Sequence, residues 1–495
     1  SFANGTGELE GKVVHTSIPL GYYGYRQASF IDPVLNALWL SLAIELAEKL
    51  EPLRISPKKN QVFSYRYKYR ESIGALFNAE INWNEFRSFL GWKCRKGYQV
   101  ISFDIANFYG SIQHDRLKRI LIYDLQQDES LVNSILKLLK TIMGGVSVGL
   151  PVGGNASRIL AEAFFIPFDR FLTSQGIDFI RFVDDFYVFT PNYNAARKTL
   201  HIIQEELASN YQLNLAKHKT AFYSSMHLTT LLKQEHELHP EQGEESNNSI
   251  KIFLNQLTLD PYSVMADESL VNFYRSEDSF RLLRLLEYEC SKGKVDLSLT
   301  KRIFRVMKGI DDDHQKDVFA LIQQHIDQLY PLFPITMQYA LRNLHRTPEE
   351  NRESFMQFVA ELFESDSYLI QTANNRAYAL RVLSLSNQFR SLTIIRDVLI
   401  DAMHSTNRSA HLVRVNALYA IINRGDQGWL IEFIEKNQDK LTDSERLALI
   451  AASSVFMDPV YSSIVEKLQQ NAMDELVNAW AIERSYLNPM KRLPL

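Results

Sequence analysis

The sequence predicts an α+β N-terminal half followed by an all-α C-terminal half. Residues 98–104 and 177–189 are apolar segments rich in β-branched and aromatic residues, which is typical of strands, and helical periodicity separates them. After about residue 250, amphipathic helical patterns follow one another at a spacing of about 20 residues, as in stacked antiparallel helix pairs. We therefore expect a sheet-containing domain joined to a HEAT-like array of helices.

Changes in composition along the chain predict four segments. Residues 1–97 form an N-terminal segment, and its first 30 residues, which are rich in glycine and tyrosine, are expected to be loop. Residues 98–230 carry the predicted strands, residues 231–250 are a polar linker, and residues 251–495 are helical. The boundary between the two halves is therefore placed in the linker.

The overall composition favours an intracellular globular protein. The chain has 495 residues and a formal net charge of −4, so any surface that binds nucleic acid has to be local. Its two cysteines, Cys94 and Cys290, lie far apart, which argues against a disulfide scaffold or a structural zinc site and suits a reducing cytoplasm. No signal peptide and no apolar run of about 18–20 residues are visible, so we expect a cytoplasmic protein without a membrane span.

Two adjacent acids, Asp184 and Asp185, lie in the most informative segment. Apolar β-formers flank them on both sides, so the segment predicts a strand, a tight turn and a second strand, with the acids at the turn. Neighbouring carboxylates repel each other, and a hard divalent cation such as Mg²⁺ or Mn²⁺ relieves that repulsion. For the dipeptide alone, a solvated turn is the alternative explanation.

Features upstream favour the metal site over the solvated turn. An apolar strand ends at Asp104, which places a third carboxylate at the C-terminal end of a buried strand. A glycine-rich turn at residues 144–157 then leads into a helix, and glycines let the backbone approach a ligand closely. By itself the glycine-rich turn is a weak signal, because it is neither a Walker loop nor a dinucleotide-binding fingerprint.

Aromatic residues alternate strictly with polar residues through residues 63–70, and three of the polar residues are cations. As a strand, this segment would place Arg66, Lys68 and Arg70 on one face and the aromatic rings on the other. A row of cations is suited to a triphosphate or a nucleic-acid backbone. A half-buried strand with a solvated basic face explains the same pattern equally well.

Taken together and in this order, the motifs resemble the palm of reverse transcriptases. The likeness covers about residues 60–225, so that residues 1–97 would contain the fingers and residues 98–230 the palm. Phe182 takes the place of the tyrosine in the YxDD box of this family. The matching segments are 103–109 for motif A, 149–161 for motif B, 182–185 for motif C and 219–220 for motif D.

The resemblance implies the chemistry of a DNA polymerase. Asp104 and Asp184 would bridge two Mg²⁺ or Mn²⁺ ions, with Asp185 in support, for phosphoryl transfer from dNTPs. Tyr109 would act as a steric gate that excludes a 2′-hydroxyl, and Lys219 would donate a proton to the leaving pyrophosphate. Further nucleotide contacts are expected at Gly153, Arg66, Lys68 and Arg70.

Two departures from the usual reverse transcriptase pattern indicate which group of these enzymes the chain resembles. Val152 replaces the glutamine that usually follows the proline of motif B, and no thumb is apparent after the palm. A palm of this kind followed by a helical half resembles the abortive-infection (Abi) reverse transcriptase family, the AbiK-like proteins among them. That resemblance implies untemplated DNA synthesis primed on a protein tyrosine, single-stranded DNA attached to the protein, homo-oligomers such as trimers or hexamers, and bacterial defence against phage. Candidate priming residues are Tyr22, Tyr23 and Tyr25.

Two other functions are compatible with the same motifs. One is a conventional RNA-templated reverse transcriptase of the retron or group II intron kind, although Val152 and the missing thumb argue against it. The other is a non-catalytic helical scaffold that carries a degenerate palm. The presence of all three acids argues against a degenerate palm, because such a domain would have no need to keep repelling carboxylates together.

Overall fold

The computed structural model describes residues 13–236, 279–307, 310, 312–407 and 409–487. The chain divides into two compact units: residues 33–272 form one, and residues 1–32 together with residues 273–495 form the other. No helix within the described residues is both long enough and apolar enough to cross a membrane.

The strands of the described residues form two separate pairs and one four-stranded sheet. β1 pairs with β2, β3 pairs with β4, and the remaining four strands form the sheet. In chain order the strands are β1 (Val13–Pro19), β2 (Tyr25–Ile31), β3 (Tyr67–Arg70), β4 (Ala75–Phe77), β5 (Gln99–Phe103), β6 (Asp178–Phe182), β7 (Asp185–Thr190) and β8 (Ala221–Ser224).

α-Helices make up most of the remaining described chain. The unit of residues 33–272 contains α1 (Pro33–Leu50), α2 (Trp83–Cys94), α3 (Phe108–Ser111), α4 (His114–Arg119), α5 (Glu129–Ile142), α6 (Asn155–Ser174), α7 (Tyr193–Glu206) and α8 (Ser225–His236). The other unit contains α9 (Ser279–Ser291), α10 (Leu297–Val306), α11 (Asp312–Gln324), α12 (Phe333–Asn343), α13 (Glu349–Glu364), α14 (Ala373–Leu383), α15 (Phe389–His404), α16 (Ala410–Asn423), α17 (Gln427–Asn437), α18 (Asp443–Ser453), α19 (Val460–Leu468) and α20 (Ala472–Leu487).

The four-stranded sheet has the order β6-β7-β5-β8, and every neighbouring pair is antiparallel. β5 and β7 therefore lie side by side in the middle of the sheet. Their register pairs Phe103 with Phe186, while the β6–β7 hairpin closes with Phe182 opposite Asp185. The predicted strand–turn–strand around the acids is confirmed by this hairpin.

Helices cover both faces of the sheet. On one face the rings of Phe103 and Phe186 stack at 4.9 Å, and Phe165 and Phe168 of α6 pack against Phe186 at 5.7 Å each. Side chains alternate along strands, so the intervening residues point to the other face. There, residues of α2 and α8 share a buried cluster with residues of the sheet: Phe86, Leu90, Leu228, Leu232, Val100, Ile180 and Phe189.

The basic segment at residues 63–70 departs from the predicted strand. Only Tyr67–Arg70 is strand, and Tyr65 has a φ of 41°, in the left-handed region, which interrupts an extended backbone. The strict two-residue alternation of side chains therefore stops there. Arg66 lies before the strand and is buried, with 3% of its surface exposed, whereas Lys68 is exposed.

Lys219 lies in a 3₁₀ turn just before β8, which begins at Ala221. One further expectation is wrong in part. A polar linker was expected over residues 231–250, but residues up to His236 belong to α8, which buries Leu228 and Leu232. The remaining predicted linker, residues 237–250, lies outside the described residues.

The N-terminal residues also differ from the expected loop. Residues 13–31 form the antiparallel pair of β1 and β2, with Val13 opposite Ile31 and Pro19 opposite Tyr25. The pair belongs to the same unit as the C-terminal helices. Residues 1–12 of the predicted loop lie outside the described residues.

The helical character of the C-terminal half is confirmed. Helices two apart in sequence pack against each other, as α10 does on α12 and α14 does on α16. Such alternation produces two layers of helices, which is the arrangement expected of stacked helix pairs. The HEAT-like character of the array stays a prediction.

Candidate active site

Three carboxylates converge at one end of β5 and β7. Asp104 directly follows Phe103, the last residue of β5, and Asp185 directly precedes Phe186, its partner in register on β7. Phe182 and Asp185 close the hairpin, so Val183 and Asp184 are the two turn residues. The side chains of Asp184 and Asp104 lie within hydrogen-bonding range of each other.

The electrostatics of these groups reflect crowding of like charges. Burial, followed by the charges of Asp104 and Asp185, raises the pKa of Asp184 to about 7. Burial and the charge of Asp104 raise the pKa of Asp185 to about 6, while Lys219 and Arg87 act in the opposite direction. Each additional negative charge in a partly buried cluster disfavours ionisation of the others. The site therefore holds carboxylates that need a positive charge to ionise together.

Lys219 provides one such positive charge. Its Nζ donates a hydrogen bond to Oδ2 of Asp104, which raises the pKa of Lys219. The backbone brings the two residues together: Ala106 N donates to Asn214 O at 2.8 Å and Ala216 N donates to Asp104 O at 2.8 Å. Residues 214–216 thus run alongside the end of β5, and the next turn carries the lysine to the acids.

The acid cluster meets part of what a metal site requires. In the part of the chain that the structure describes, no group of three or more His, Cys, Asp or Glu side chains is arranged so that it could hold a metal ion. The ammonium group of Lys219 donates a hydrogen bond to one oxygen of Asp104. The donor chemistry nevertheless fits a hard divalent cation, because the cluster offers carboxylate oxygens only and a cation would relieve the repulsion that raises their pKa values.

Tyr109 and two neighbours border the acid cluster. Burial and the nearby Tyr65 and Glu162 raise the pKa of the Tyr109 hydroxyl well above its usual value, and Asp184 contributes in the same direction. The guanidinium carbon of Arg158 lies 4.6 Å from the centroid of the Tyr65 ring. Arg158 is also close enough to Tyr109 to oppose part of that rise. The predicted gate thus lies beside an acid, a second tyrosine and a cation.

The glycine-rich turn is bonded to the segment that carries Tyr109. Leu150 N donates to Tyr109 O at 2.8 Å, and Gly149 N donates to Ile112 O at 2.8 Å. Gly149 has a φ of 90°, and a Cβ there would lie 3.0 Å from the Cε of Met143. This position therefore requires glycine. Gly153 has a φ of 112°, and the place where its Cβ would be is open space, with nothing within 4 Å.

The three cations of the basic segment have different surroundings. Arg66 forms an ion pair with Glu51 at 2.5 Å and donates to Ile55 O at 2.8 Å, and burial lowers its pKa to about 10. The side chain of Lys68 is 59% exposed and lies 4.0 Å from Glu80. Arg70 is half-buried, and its Nε has no hydrogen-bond partner among the described residues. Lys68 and Arg70 are thus more accessible to a ligand than Arg66.

The candidate priming tyrosines lie in the other unit. The Tyr22 hydroxyl accepts a hydrogen bond from Val295 N at 2.7 Å and donates to Gln328 O at 2.8 Å. The Tyr25 hydroxyl is hydrogen-bonded to that of Tyr330. Tyr23 is 84% exposed. The hydroxyl of Tyr22 is therefore bound within the fold, whereas Tyr23 is accessible.

A buried ionic network beneath the acid turn was missed in the sequence. Arg181 is fully buried and bonds to Asp169 and Glu162 of α6. A charged residue between Ile180 and Phe182, within an apolar strand, was the signal that could have revealed it, because lone charges are rarely buried without a partner. No local pattern could have identified the partners, which lie on a different element.

The turn above that network has an unusual backbone. Val183 has a φ of 56°, in the left-handed region. For a β-branched residue such a conformation costs about 1–3 kcal/mol and persists only where the surroundings enforce it. The residue next to Asp184 is therefore held by contacts from outside the turn.

The part of the chain that contains the acid cluster matches a known protein family. Residues 84–252 match the family model described as reverse transcriptase (RNA-dependent DNA polymerase). No curated protein matches the chain. A solved structure of telomerase from Candida albicans, in complex with a fragment of telomeric RNA, is similar with 13% identity and a TM-score of 0.30. The similarity covers 70% of this chain and 64% of the telomerase chain, so less than two thirds of that chain is spanned. The comparisons therefore support a reverse transcriptase family domain at residues 84–252 of this chain.

Proposed function

We propose that this protein is a DNA polymerase that adds deoxynucleotides by phosphoryl transfer assisted by two divalent metal ions, Mg²⁺ or Mn²⁺. The observation that carries the proposal is the convergence of Asp104, Asp184 and Asp185 at the ends of neighbouring strands. The family match over residues 84–252 supports the same reaction class. Bound cations would supply charge neutralisation at the triphosphate and activation of the attacking hydroxyl.

The side chains of the site would bind the metal ions, donate a proton and contact the nucleotide. Asp104 and Asp184 would hold the ions and Asp185 would support them, because these three groups supply the oxygen donors. Lys219 lies at the same acids and is kept protonated by Asp104, so its ammonium group is placed to serve as the proton donor to the leaving pyrophosphate once bound cations replace it at Asp104. Gly153, Lys68 and Arg70 remain candidates for nucleotide contacts. Arg66 is a weaker candidate because its guanidinium is committed to Glu51.

Tyr109 is proposed to select deoxynucleotides. Its hydroxyl is near enough to Asp184 for that charge to raise its pKa, and the substitution Tyr109→Ala removes the bulk of the ring there. We expect the preference for dNTPs over NTPs to fall by about 10²-fold, measured as the ratio of their kcat/KM values. Tyr109→Phe keeps the ring and should keep the preference. If both variants discriminate as the wild type does, Tyr109 is not the gate.

We further propose that synthesis needs no template and is primed on a tyrosine of the protein. Val152 at the position usually held by glutamine supports the first part, since the side chain that helps to position template and nucleotide is replaced by an apolar one. For priming, Tyr23 is favoured over Tyr22 and Tyr25, because its ring is exposed whereas the hydroxyls of the other two are hydrogen-bonded within the fold.

A template-free incubation tests both parts. Purified protein is mixed with labelled dNTPs and Mg²⁺, and the expected result is labelled single-stranded DNA that migrates with the protein under denaturing conditions. Mass spectrometry of the digested adduct should locate the linkage, and Tyr23→Phe should abolish it. Product that is unchanged in Asp184→Ala would contradict the proposed active site, and product linked elsewhere would contradict only the choice of Tyr23.

The resemblance to abortive-infection reverse transcriptases also leads us to propose a role in the defence of bacteria against phage. The combination of a reverse transcriptase family domain with a helical second half supports it. Cells that express the wild-type chain are expected to restrict phage growth, and cells that express Asp104→Asn are not. Full protection by Asp104→Asn would favour the non-catalytic scaffold. The proposed homo-oligomer, a trimer or hexamer, can be checked by light scattering on the purified chain.

The second candidate function is conventional RNA-templated DNA synthesis. The family model that matches residues 84–252 is described as an RNA-dependent DNA polymerase, and this favours it. In that case, synthesis would require an added RNA template and a free primer, and its product would follow the template sequence. The template-free incubation distinguishes the two candidates, since a templated enzyme would give no product there.

A further inference from the structure

The buried guanidinium of Arg181 is bonded directly to the backbone of the acid turn. Its Nη1 donates a hydrogen bond to the carbonyl oxygen of Val183 at 3.1 Å. That carbonyl belongs to the peptide that joins Val183 to Asp184, so its direction sets the plane from which the Asp184 side chain leaves the backbone. The contact reaches the turn from the protein interior, because Arg181 is fully buried, whereas the side chain of Asp184 interacts with that of Asp104.

The guanidinium is itself held in place by two acids of α6. Its Nε and Nη2 donate to the two carboxylate oxygens of Asp169 at 2.7 Å each. Nη1 and Nη2 also contact the carboxylate of Glu162, at 3.2 and 3.0 Å. The ring of Phe165 covers the guanidinium, with its centroid 5.2 Å from the guanidinium carbon. A group bonded on so many sides is a fixed donor for the Val183 carbonyl.

Arg54 belongs to the same network, but none of its recorded hydrogen bonds reaches the acid turn. Its Nη2 donates to Glu162 at 2.5 Å and to Ser64 O at 2.8 Å. Burial alone would raise the pKa of Glu162, but Arg181 and Arg54 hold it below its usual value. Two guanidinium groups therefore face the two carboxylates of Glu162 and Asp169. Because these charges balance, the network acts on the acid cluster through geometry more than through net charge.

We propose that Arg181 is a positioning residue, which holds the Val183–Asp184 peptide in its left-handed turn and thereby directs the carboxylate of Asp184 toward Asp104. An arginine is required because its planar fork can bind Asp169 with two donors and still offer a third to Val183. A lysine has a single nitrogen and cannot serve both partners with this geometry. The effect on catalysis rests on the proposed function, but the effect on the turn does not.

The test compares Arg181→Lys with the matched variant Arg54→Lys. Both changes keep a positive charge beside Glu162, and only the first removes the contact to Val183. Hydrogen exchange of a peptide covering the turn is expected to be about tenfold faster in Arg181→Lys than in Arg54→Lys. Binding of Mn²⁺, followed by calorimetry without nucleotide, should weaken in the same variant. If dNTPs are incorporated, its kcat should fall by about 10²-fold with little change in KM, since a misplaced group loses rate more than substrate affinity.

The outcomes separate this proposal from the proposed function. Equal exchange at the turn in the two lysine variants would overturn the positioning role, whatever the activity. A wild-type protein that binds Mn²⁺ but incorporates no dNTP would contradict the polymerase function and leave the exchange comparison decisive. Should Arg181→Lys fail to fold, Asp169→Asn provides the second variant, because loss of the paired bond leaves Arg181 free to shift and should raise exchange at the turn in the same way. Unchanged exchange in Asp169→Asn would then count against the proposal.

Discussion

Replacing Asp184 with asparagine is expected to lower the rate of dNTP incorporation by about 10³-fold or more, because the amide cannot hold a divalent cation as a carboxylate does. The substitution keeps the size of the side chain, so the hairpin should form as before. The measurement is the initial rate of incorporation at saturating dNTP and Mg²⁺. Hydrogen exchange over β6 and β7 would verify that the fold is kept.

The same hairpin offers a matched control at its other end. Asp178 begins β6, its side chain is 43% exposed, and it forms an ion pair with Lys93. Asp178→Asn makes the identical chemical change away from the acid turn and should leave incorporation within about twofold of the wild type, as expected of an exposed ion pair. A large loss in both variants would point to damage of the hairpin rather than loss of a metal ligand.

Asp184→Asn should also change how the metal-free protein responds to pH. In the fold, burial and neighbouring acids raise the pKa of Asp184 to about 7 from 3.8, so between these values the folded state keeps a proton that the unfolded chain has released. The stability that this group contributes is therefore present at low pH and is lost as the pH rises through about 7. Thermal unfolding in the presence of a chelator should show a steeper loss between pH 5 and 8 for the wild type than for Asp184→Asn.

Replacing Lys219 with methionine is expected to have opposite effects on metal binding and on catalysis. Without the ammonium group on Asp104, the acids lose a competing cation, so Mn²⁺ should bind more tightly in the absence of nucleotide. Incorporation of dNTPs should nevertheless fall by about 10²-fold, the usual contribution of a general acid. Calorimetry with Mn²⁺ and steady-state kinetics give the two readings.

Lys217 is the control for this substitution. It lies in the same 3₁₀ turn as Lys219 and is exposed, so Lys217→Met removes a positive charge from the turn without removing the bond to Asp104. We expect metal affinity and rate both to stay near wild-type values. Weaker Mn²⁺ binding in Lys219→Met would mean that the lysine assists the ion rather than competing with it.

The acid hairpin shows how much of the site could be predicted from local sequence. Strand, turn and strand follow from apolar β-formers around two acids, and the register of β6 and β7 confirms that hairpin. Asp104 was placed at the end of a strand for the same reason, since a run of apolar residues stops there. In the sequence, Asp104 was assigned to the same site as the hairpin only from the order of the motifs and their resemblance to the reverse transcriptase palm. In the structure, the pairing of β5 with β7 brings Asp104 next to the hairpin.

The basic segment shows where local pattern failed. Alternation predicted that Arg66 would share a face with Lys68 and Arg70, but one left-handed residue, Tyr65, changed the direction of the backbone. Glu51, the ion-pair partner of Arg66, directly follows α1. An alternation of side chains within residues 63–70 gives no information about a partner so far away in the sequence. A pattern of period two describes a strand only while the backbone stays extended.

Periodicity in the sequence by itself determined the strands around the acids and the helical second half, while the order of the motifs and their resemblance to a known family singled out the three carboxylates. Only the tertiary structure decided that Lys219 lies on Asp104, that Arg158 stacks on Tyr65, and that Arg181 bonds to the acid turn. The physical reason is range: strand and helix preferences act between near neighbours in the chain, whereas the bonds around the site join residues of different elements that only tertiary packing brings together.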